Sequence, residues 1–233
     1  MNVHFTVDVE HDCPPYLRTW RGIEEGLPKL LAALAEEQVR ATLFTTGDVA
    51  RRYPDAIAAA VAGGHEIGCH GDVHNCYADM SREEADRDIA AASAALRPLA
   101  AVTSFRAPYL SFPSPYVELL ARHGYDVDSS EGRHKQWPLR VREQHGVRRV
   151  PASASSLTLR WPAWARNALF TRFRDPIVLL CHPWEFVDLR RDALRWDCRI
   201  RTGAEALVAV RTAIQFFKRR GASFSVIRDC AAV

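Results

Sequence analysis

The sequence lacks several features that assign a chain to a class at once. It has no apolar run approaching the ~20 residues that would cross a bilayer, and no basic leader before a long apolar segment. Its six cysteines include no CxxC pair and no disulfide-framework spacing. The net charge of +3 is too small to indicate nucleic-acid binding. We therefore expect a protein of the cytoplasm with reduced thiols.

The chain contains a regular alternation of strand and helix patterns. Strands are predicted at residues 3–10, 40–46, 65–70, 103–109, 125–130, 148–153, 177–182 and 223–227. Helices are predicted at Gly22–Gln38, Pro54–Ala62, from the capping Ser81 onward, Val117–Arg122 and Ala204–Arg219, with 159–167 as loop. Seven or eight β/α steps without a composition break predict one domain over residues 1–233, a distorted (β/α)7–8 barrel. An open doubly wound sheet fits the alternation, but its Gly-rich phosphate turn is missing.

The residue types most suited to chemistry collect at the carboxyl ends of the predicted strands, where the βα loops of a barrel converge. They are Asp8, Glu10, His70, Arg106, Asp128 and His182. This shared position indicates a single site above the strand ends.

A metal site is predicted from the first and third strands. Asp8 and Glu10 are two residues apart, so both carboxylates face one side of the strand. Two such charges are stable together only with positive compensation, such as a metal ion or an arginine. Two histidines and one carboxylate form a known hydrolytic zinc arrangement, and His70 and His74 would complete it with Glu10.

Five motifs in order, "TVDVE", "HGDVH", "FRAPY", "YDVDSS" and "LLCHPWE", resemble the polysaccharide deacetylase family, also called carbohydrate esterase family four or the NodB-homology domain. The resemblance covers essentially the whole chain. It implies a distorted barrel and metal-dependent hydrolysis of N-acyl groups on amino sugars, with some members acting on other amides.

The resemblance also implies a role for each matched residue. One divalent ion, zinc first and cobalt or nickel next, is expected on Glu10, His70 and His74. The other implied roles are the general base at Asp8, the arginine that holds it at Arg106, an oxyanion-binding backbone N–H at Tyr109, the general acid at His182, and the carboxylate that orients this acid at Asp128.

Three departures from the family pattern leave alternatives open. The spacing of Asp8 and Glu10 differs from the usual adjacent pair, so Asp12 remains a competing ligand. Gly71 stands where Ser or Thr is commoner, which removes a hydroxyl from the loop. The fourth motif lacks its usual tryptophan, so Asp126 remains a rival to Asp128.

The substrate is less well determined. The run "WRGIEEGLPKLL" is similar to the branch that deformylates a lipid-carried formamido-arabinose, which leaves acetyl and formyl both open. We expect a small N-acyl amino sugar, free, nucleotide-linked, lipid-linked or of aminoglycoside type. The predicted substrate-binding residues are Tyr16, Trp20, Arg21 and Trp184, and Trp161 and Trp164 could offer flat faces to a sugar ring. A non-sugar amide or cyclic imide is the alternative substrate, and a non-catalytic glycan-binding barrel the alternative function. The oligomeric state is not readable from the sequence.

Overall fold

The computed structural model describes residues 1–135 and 139–231. Its centre is one sheet of short strands: β1 Asn2–Val9, β2 Ala41–Thr45, β3 Glu66–Cys69, β4 Ser104–Phe105, β5 Val127–Asp128, β6 Arg142–Gln144, β7 Val147–Arg149, β8 Ile177–Cys181 and β9 Ser223–Phe224. The strand order is β6-β7-β5-β4-β3-β2-β1-β8, with β9 beside the start of β1. All neighbours are parallel except β6 and β7.

The sheet curls until the chain after β7 meets β8. The backbone N–H of Ser153 donates to the Val178 carbonyl at 2.9 Å, and the Ser153 hydroxyl accepts from the Val178 N–H at 2.9 Å. This irregular contact replaces a regular ladder between the two ends of the sheet. The predicted distorted barrel is therefore confirmed.

Helices cover the outside of the barrel. They are α1 Leu27–Glu36, α2 Gly47–Arg52, α3 Pro54–Ala62, α4 Arg82–Leu96, α5 Val117–Arg122, α6 Ser156–Leu159, α7 Ala163–Phe170, α8 Trp196–Arg199 and α9 Ala204–Arg219. A π-helical turn at Gly22–Gly26 leads directly into α1, so the predicted first helix is present with an irregular first turn. Part of the segment predicted as loop is helical, since α7 begins at Ala163 directly after Pro162.

Strand alternation on β1 explains why chemistry collects inside the barrel. Val3, Phe5, Val7 and Val9 are fully buried in the main apolar core with the helices. The intervening side chains therefore point to the other face of the strand, into the barrel.

The barrel interior is apolar below and polar above. Phe44, Val150, Val178 and Ile227 pack together inside it. The guanidinium of Arg106 lies over the Phe44 ring, 4.3 Å from the ring centroid, and begins the polar layer. The described residues form no helix long and apolar enough to cross a membrane.

Candidate metal centre and active site

Three predicted ligands converge at the carboxyl ends of β1 and β3. Glu10 Oε2 lies 2.6 Å from His74 Nε2 and 3.3 Å from His70 Nε2. One ligand atom from each of the three residues lies within 4.8 Å of the others, and all three side chains are buried. The structure therefore brings together the carboxylate and the two imidazoles that the spacing predicted.

These residues fit a divalent metal. Glu10 Oε2 is buried and makes no hydrogen bond within the described residues, although two imidazole nitrogens face it. His70 Nδ1 lies 2.7 Å from the Arg106 carbonyl; as the N–H donor there, it leaves the lone pair of Nε2 directed at Glu10. Two imidazoles and a carboxylate are the donor set of open, hydrolytic zinc sites.

The loop that carries His74 is held from two sides. The N–H groups of Gly47 and Asp48, in the first turn of α2, donate to the carbonyls of Gly71 and Asp72 at 3.0 and 2.9 Å. His74 itself has a left-handed backbone, with φ of 62°. A residue other than glycine holds this conformation only when its surroundings impose it. The contacts of the loop therefore fix the position of His74, a predicted ligand.

Tyr77 and Asp88 supply the support on the other side. Asp88 Oδ1 accepts from the Tyr77 hydroxyl at 2.5 Å and from the Asp72 N–H at 3.0 Å. Burial raises the pKa of Asp88. A Cβ on Gly71, whose φ is +73°, would lie 3.1 Å from both the carboxylate and the phenol oxygen. The Tyr77–Asp88 pair thus fills the place beside Gly71 where the sequence lacks a hydroxyl.

Asp8 is held by Arg106, as predicted. Arg106 Nη1 donates to Asp8 Oδ1 at 2.7 Å and to the Thr6 hydroxyl at 2.8 Å. The other guanidinium nitrogens donate to the backbone carbonyl and hydroxyl of Ser129 at 3.2 and 2.9 Å. Asp8 Oδ2, which Arg106 leaves free, lies 3.9 Å from His70 Nε2 and therefore faces the metal ligands.

His182 stands on the opposite side of Glu10, with its Nε2 3.8 Å from Glu10 Oε1. Its Nδ1 lies 2.8 Å from Glu185 Oε1, and its backbone N–H donates to the same oxygen at 3.0 Å. Arg160 Nε lies 2.8 Å from the second Glu185 oxygen. Burial lowers the pKa of His182, but the Glu185 hydrogen bond and the nearby carboxylates outweigh it and raise the pKa to about 9.

The structure corrects the predicted partner of His182. Asp128 Oδ2 accepts from Arg149 Nε at 2.8 Å, and its other oxygen accepts from the Ser130 N–H at 3.0 Å. Asp126, the rival, is exposed. Glu185 takes the place given to Asp128, and the sequence analysis missed it. A carboxylate three residues after a strand-end histidine, in "HPWE", was the available signal.

Asp128 supports the opposite wall instead. The hydroxyl of Ser130, which bonds to Asp128, accepts from the Ala107 N–H at 2.8 Å. The following Tyr109 has a left-handed backbone, φ of 60°, and its ring lies edge-on to His74 with centroids 4.7 Å apart. The residue predicted to bind the oxyanion is therefore beside the predicted metal ligands.

Asp12 does not reach the ligand cluster. Its Oδ1 accepts from the Gly22 N–H at 2.8 Å and its Oδ2 accepts from the Thr19 hydroxyl at 2.6 Å. Both oxygens are used to fasten the loop after β1 to the turn before α1. The competing assignment of Asp12 as a ligand is wrong for this geometry.

A cavity of about 320 Å³ opens above the cluster. Its polar wall includes His134, Ser155, Ser156 and Asp197, and its apolar wall includes Leu110, Leu157 and Leu180. None of these residues was singled out from the sequence, because they lie on separate loops, short helices and a strand that only the fold brings together.

Of the four predicted substrate-binding residues, only one borders this cavity. Tyr16, Trp20 and Arg21 do not line this cavity. Arg21 Nη1 lies 3.4 Å from Asp192, and Trp20 packs beside Tyr53. Trp184 does border the cavity, but it is buried, stacks on His182 at 4.9 Å, and its Nε1–H points at Glu10 Oε1 at 3.4 Å. Its contacts make Trp184 a support for the predicted ligand Glu10 and for His182, not an open sugar platform.

Comparison with known proteins gives the family. The polysaccharide deacetylase family model matches residues 4–127, more than half of the chain, and the chain belongs to this family. It is 38% identical to a chitooligosaccharide deacetylase of Sinorhizobium fredii over 85 residues, which are 35% of this chain and 40% of that protein. It is 28% identical to a peptidoglycan deacetylase of Helicobacter pylori over 121 residues, 51% of this chain and 41% of that protein.

The chain thus spans about two-fifths of the length of these curated relatives. Among solved structures, a peptidoglycan N-acetylglucosamine deacetylase superposes with a TM-score of 0.68 at 19% identity, covering 98% of this chain and 87% of that one. At this identity the likeness concerns the fold alone.

Proposed function

We propose that the protein is a metal-dependent N-deacylase that removes an acetyl or formyl group from an N-acylated amino sugar. One observation carries the proposal. The Glu10, His70 and His74 cluster lies between a carboxylate held by an arginine, Asp8, and a histidine held by a carboxylate, His182. Family membership and the deacetylase relatives support the same reaction class.

The metal centre has a defined part in this proposal. When bound to the three ligands, a divalent cation, zinc first, supplies Lewis acidity toward an acyl oxygen and toward water. The protein's contribution is to hold the ligands in one orientation, through the Arg106 carbonyl on His70 and the fixed loop around His74.

Asp8 and His182 provide the proton transfers. Asp8 Oδ2 is free of Arg106 and accepts the proton of the attacking water. The raised pKa of His182 keeps its imidazole protonated at neutral pH, so Nε2 can donate to the departing amine. An amide nitrogen leaves poorly without that proton, because the free amide anion is a very strong base.

The cavity sets the size of the substrate. A volume of about 320 Å³ lies at the small end of the usual range of about 300–1,000 Å³ for ligand pockets. It accommodates one N-acyl sugar residue, free or at the end of a larger molecule. The serines, His134 and Asp197 on its wall offer hydrogen bonds to sugar hydroxyls.

The test is a panel of substrates given to the zinc-, cobalt- or nickel-loaded protein, with release of free amine as the readout. The panel contains N-acetyl and N-formyl amino sugars, a chitooligosaccharide and a planar cyclic imide. We expect amine release from at least one sugar and a loss of at least about 100-fold in Asp8→Asn with the metal retained. The exposed Asp55→Asn is the matched control and should keep full activity.

If the protein hydrolyses the imide and none of the sugars, the substrate is a non-sugar amide or cyclic imide and not an amino sugar. If the protein binds its metal but hydrolyses none of these compounds, the proposal is overturned. A non-catalytic glycan-binding barrel would then be the better account.

A further inference from the structure

Five large apolar side chains are exposed on α7, on α8 and its C-cap, and in the loops that hold Tyr16 and Trp161. The exposed fractions are 45% for Tyr16, 41% for Trp161, 79% for Trp164, 63% for Trp196 and 40% for Ile200. We call these five residues the aromatic rim. They include three of the six tryptophans in the chain, which is unusual for side chains that normally bury most of their area.

Several rim residues lie next to residues that line the cavity. Arg160, which lines the cavity, donates from Nη1 to the Ile200 carbonyl at 2.6 Å and from Nη2 to the Asp197 carbonyl at 3.0 Å. These bonds tie the chain just before Trp161 to the helix of Trp196. On the other side, the cavity-lining Pro14 lies two residues before Tyr16.

A hydrogen bond links the two sides of the rim. Arg195 Nη1 donates to the Tyr16 hydroxyl at 3.2 Å, and the Arg195 guanidinium lies 6.0 Å from the centroid of that ring. This bond joins the Tyr16 loop to the residue before Trp196, beside the cavity-lining Asp197.

The charges beside the rim are positive. Residues 188–201 contain five arginines and three aspartates. Each aspartate is already paired with an arginine: Asp188 with Arg190, Asp192 with Arg21, and Asp197 with Arg195. Arg18, Arg191 and Arg199 are exposed, and none has an ion-pair partner within residues 1–135 and 139–231. The surface therefore offers free positive charge.

We propose that the aromatic rim docks the protein onto an anionic lipid bilayer, with the cavity mouth facing the membrane surface. Tryptophan and tyrosine prefer the headgroup level, where a ring contacts hydrocarbon while its N–H or O–H stays hydrated. Exposed arginines are attracted to anionic headgroups at the same level. A lipid-anchored substrate could then reach the cavity without leaving the membrane.

The geometry favours a bilayer over a glycan platform. A ring that stacks on a sugar packs its other face on the protein, whereas Trp164 is 79% exposed and protrudes from the first turn of α7. Ile200 adds an aliphatic side chain without a hydrogen-bonding group, which suits lipid and not sugar. The inference goes beyond the proposed deacylation and does not depend on it.

The test is co-sedimentation of the full chain with vesicles of equimolar phosphatidylglycerol and phosphatidylcholine, beside vesicles of phosphatidylcholine alone. We expect binding to the anionic vesicles that weakens as salt is raised. Trp164→Ala with Trp196→Ala should weaken it at least about tenfold, because buried apolar area is lost. Removing the charge in Arg191→Gln with Arg199→Gln should cost about fivefold for each arginine.

The matched controls lie on α9, which carries no rim residue. Val208→Ser removes an apolar side chain that is 60% exposed, and Arg219→Gln removes an exposed charge. Both should bind vesicles as the wild type does, and circular dichroism of each variant checks its fold.

Two results would overturn the inference. One is an absence of binding to anionic vesicles, or binding that the rim and control variants reduce equally. The other is a rim double variant that keeps vesicle binding but loses affinity for a soluble chitooligosaccharide, which would make the rim a glycan platform. Amine release from a soluble substrate, measured without vesicles, reports on the catalytic proposal separately.

Discussion

Replacing Glu185 by glutamine tests the reassigned partner of His182. In the structure Glu185 accepts from His182 Nδ1 at 2.8 Å and pairs with Arg160 at 2.8 Å, and Glu185 and Arg160 are both buried. The substitution keeps the shape of the side chain but removes its charge. A hydrogen bond to a charged group contributes about 1.5–3 kcal/mol, so turnover should fall about 10- to 150-fold at neutral pH.

The pH profile gives the more specific result. His182 acts as an acid, so its active form is protonated, is fully present below its pKa, and is lost as pH rises through the value of about 9. Without the Glu185 charge the pKa of His182 falls, and the basic limb of the kcat profile should move to lower pH. The measurement is kcat against pH for amine release from the best sugar substrate, with the His182 imidazole titrated by NMR.

Asp128→Asn is the matched comparison. It breaks a buried pair with Arg149 and should destabilise the fold by about 3 kcal/mol, and it can lower turnover through the loop that holds Arg106. The basic limb should nevertheless stay where it is, because Asp128 does not contact His182. If the basic limb of the kcat profile moves in Asp128→Asn and stays fixed in Glu185→Gln, Glu185 is not the carboxylate that sets the pKa of His182.

Three further predictions concern the supports of the site. Tyr77→Phe removes the hydroxyl that bonds to Asp88 and should weaken zinc affinity by about tenfold, measured by competition with a chelator; unchanged affinity would show that the loop needs no such support. Arg106→Met leaves the buried Asp8 without its partner and should lower the free energy of unfolding by about 3–5 kcal/mol in urea titration, and a loss below about 1 kcal/mol would contradict that role. Asp12→Ala should cost about 1–3 kcal/mol in the same titration but keep the bound metal, since both carboxylate oxygens only fasten a loop; loss of metal would make Asp12 a ligand.

The parts of the site that the sequence predicted are those fixed by strand periodicity. Alternation along the eight-residue β1, continued to Glu10 just after it, places Asp8 and Glu10 on the face opposite the buried valines, and the structure agrees. His70 directly follows β3, so its direction is set by the same rule. The barrel also follows from the alternation of strands and helices, because parallel strands require a crossover between them.

Asp128 could not be placed in the same way. The strand β5 has only two residues, and its register with β4 pairs Phe105 with Asp128 and Ser104 with Val127. Paired residues of parallel strands point to one side, so Asp128 shares the outer face with Phe105 and not the inner face. Register between two-residue strands is decided by tertiary packing, which a single sequence does not reveal.

The cavity wall was unpredictable for a related reason. Arg160, at the end of α6, and Asp197, in α8, are far apart in the chain, and a hydrogen bond from Arg160 to the Asp197 carbonyl joins them. Such contacts depend on how these short segments pack together and have no periodic signal. Tyr16, Trp20 and Arg21 were predicted to bind substrate by their nearness in sequence to the site, but none of the three lines the cavity.

The central claim is that Glu10, His70 and His74 hold a metal ion. The most direct test is elemental mass spectrometry of the untagged protein after reconstitution with zinc, beside His70→Ala and a control, His145→Ala, outside the cluster. The account predicts about one zinc per chain in the wild type and control, and little or none in His70→Ala. A wild type that stays metal-free after reconstitution, or a His70→Ala protein that binds zinc as tightly as the wild type, would contradict it.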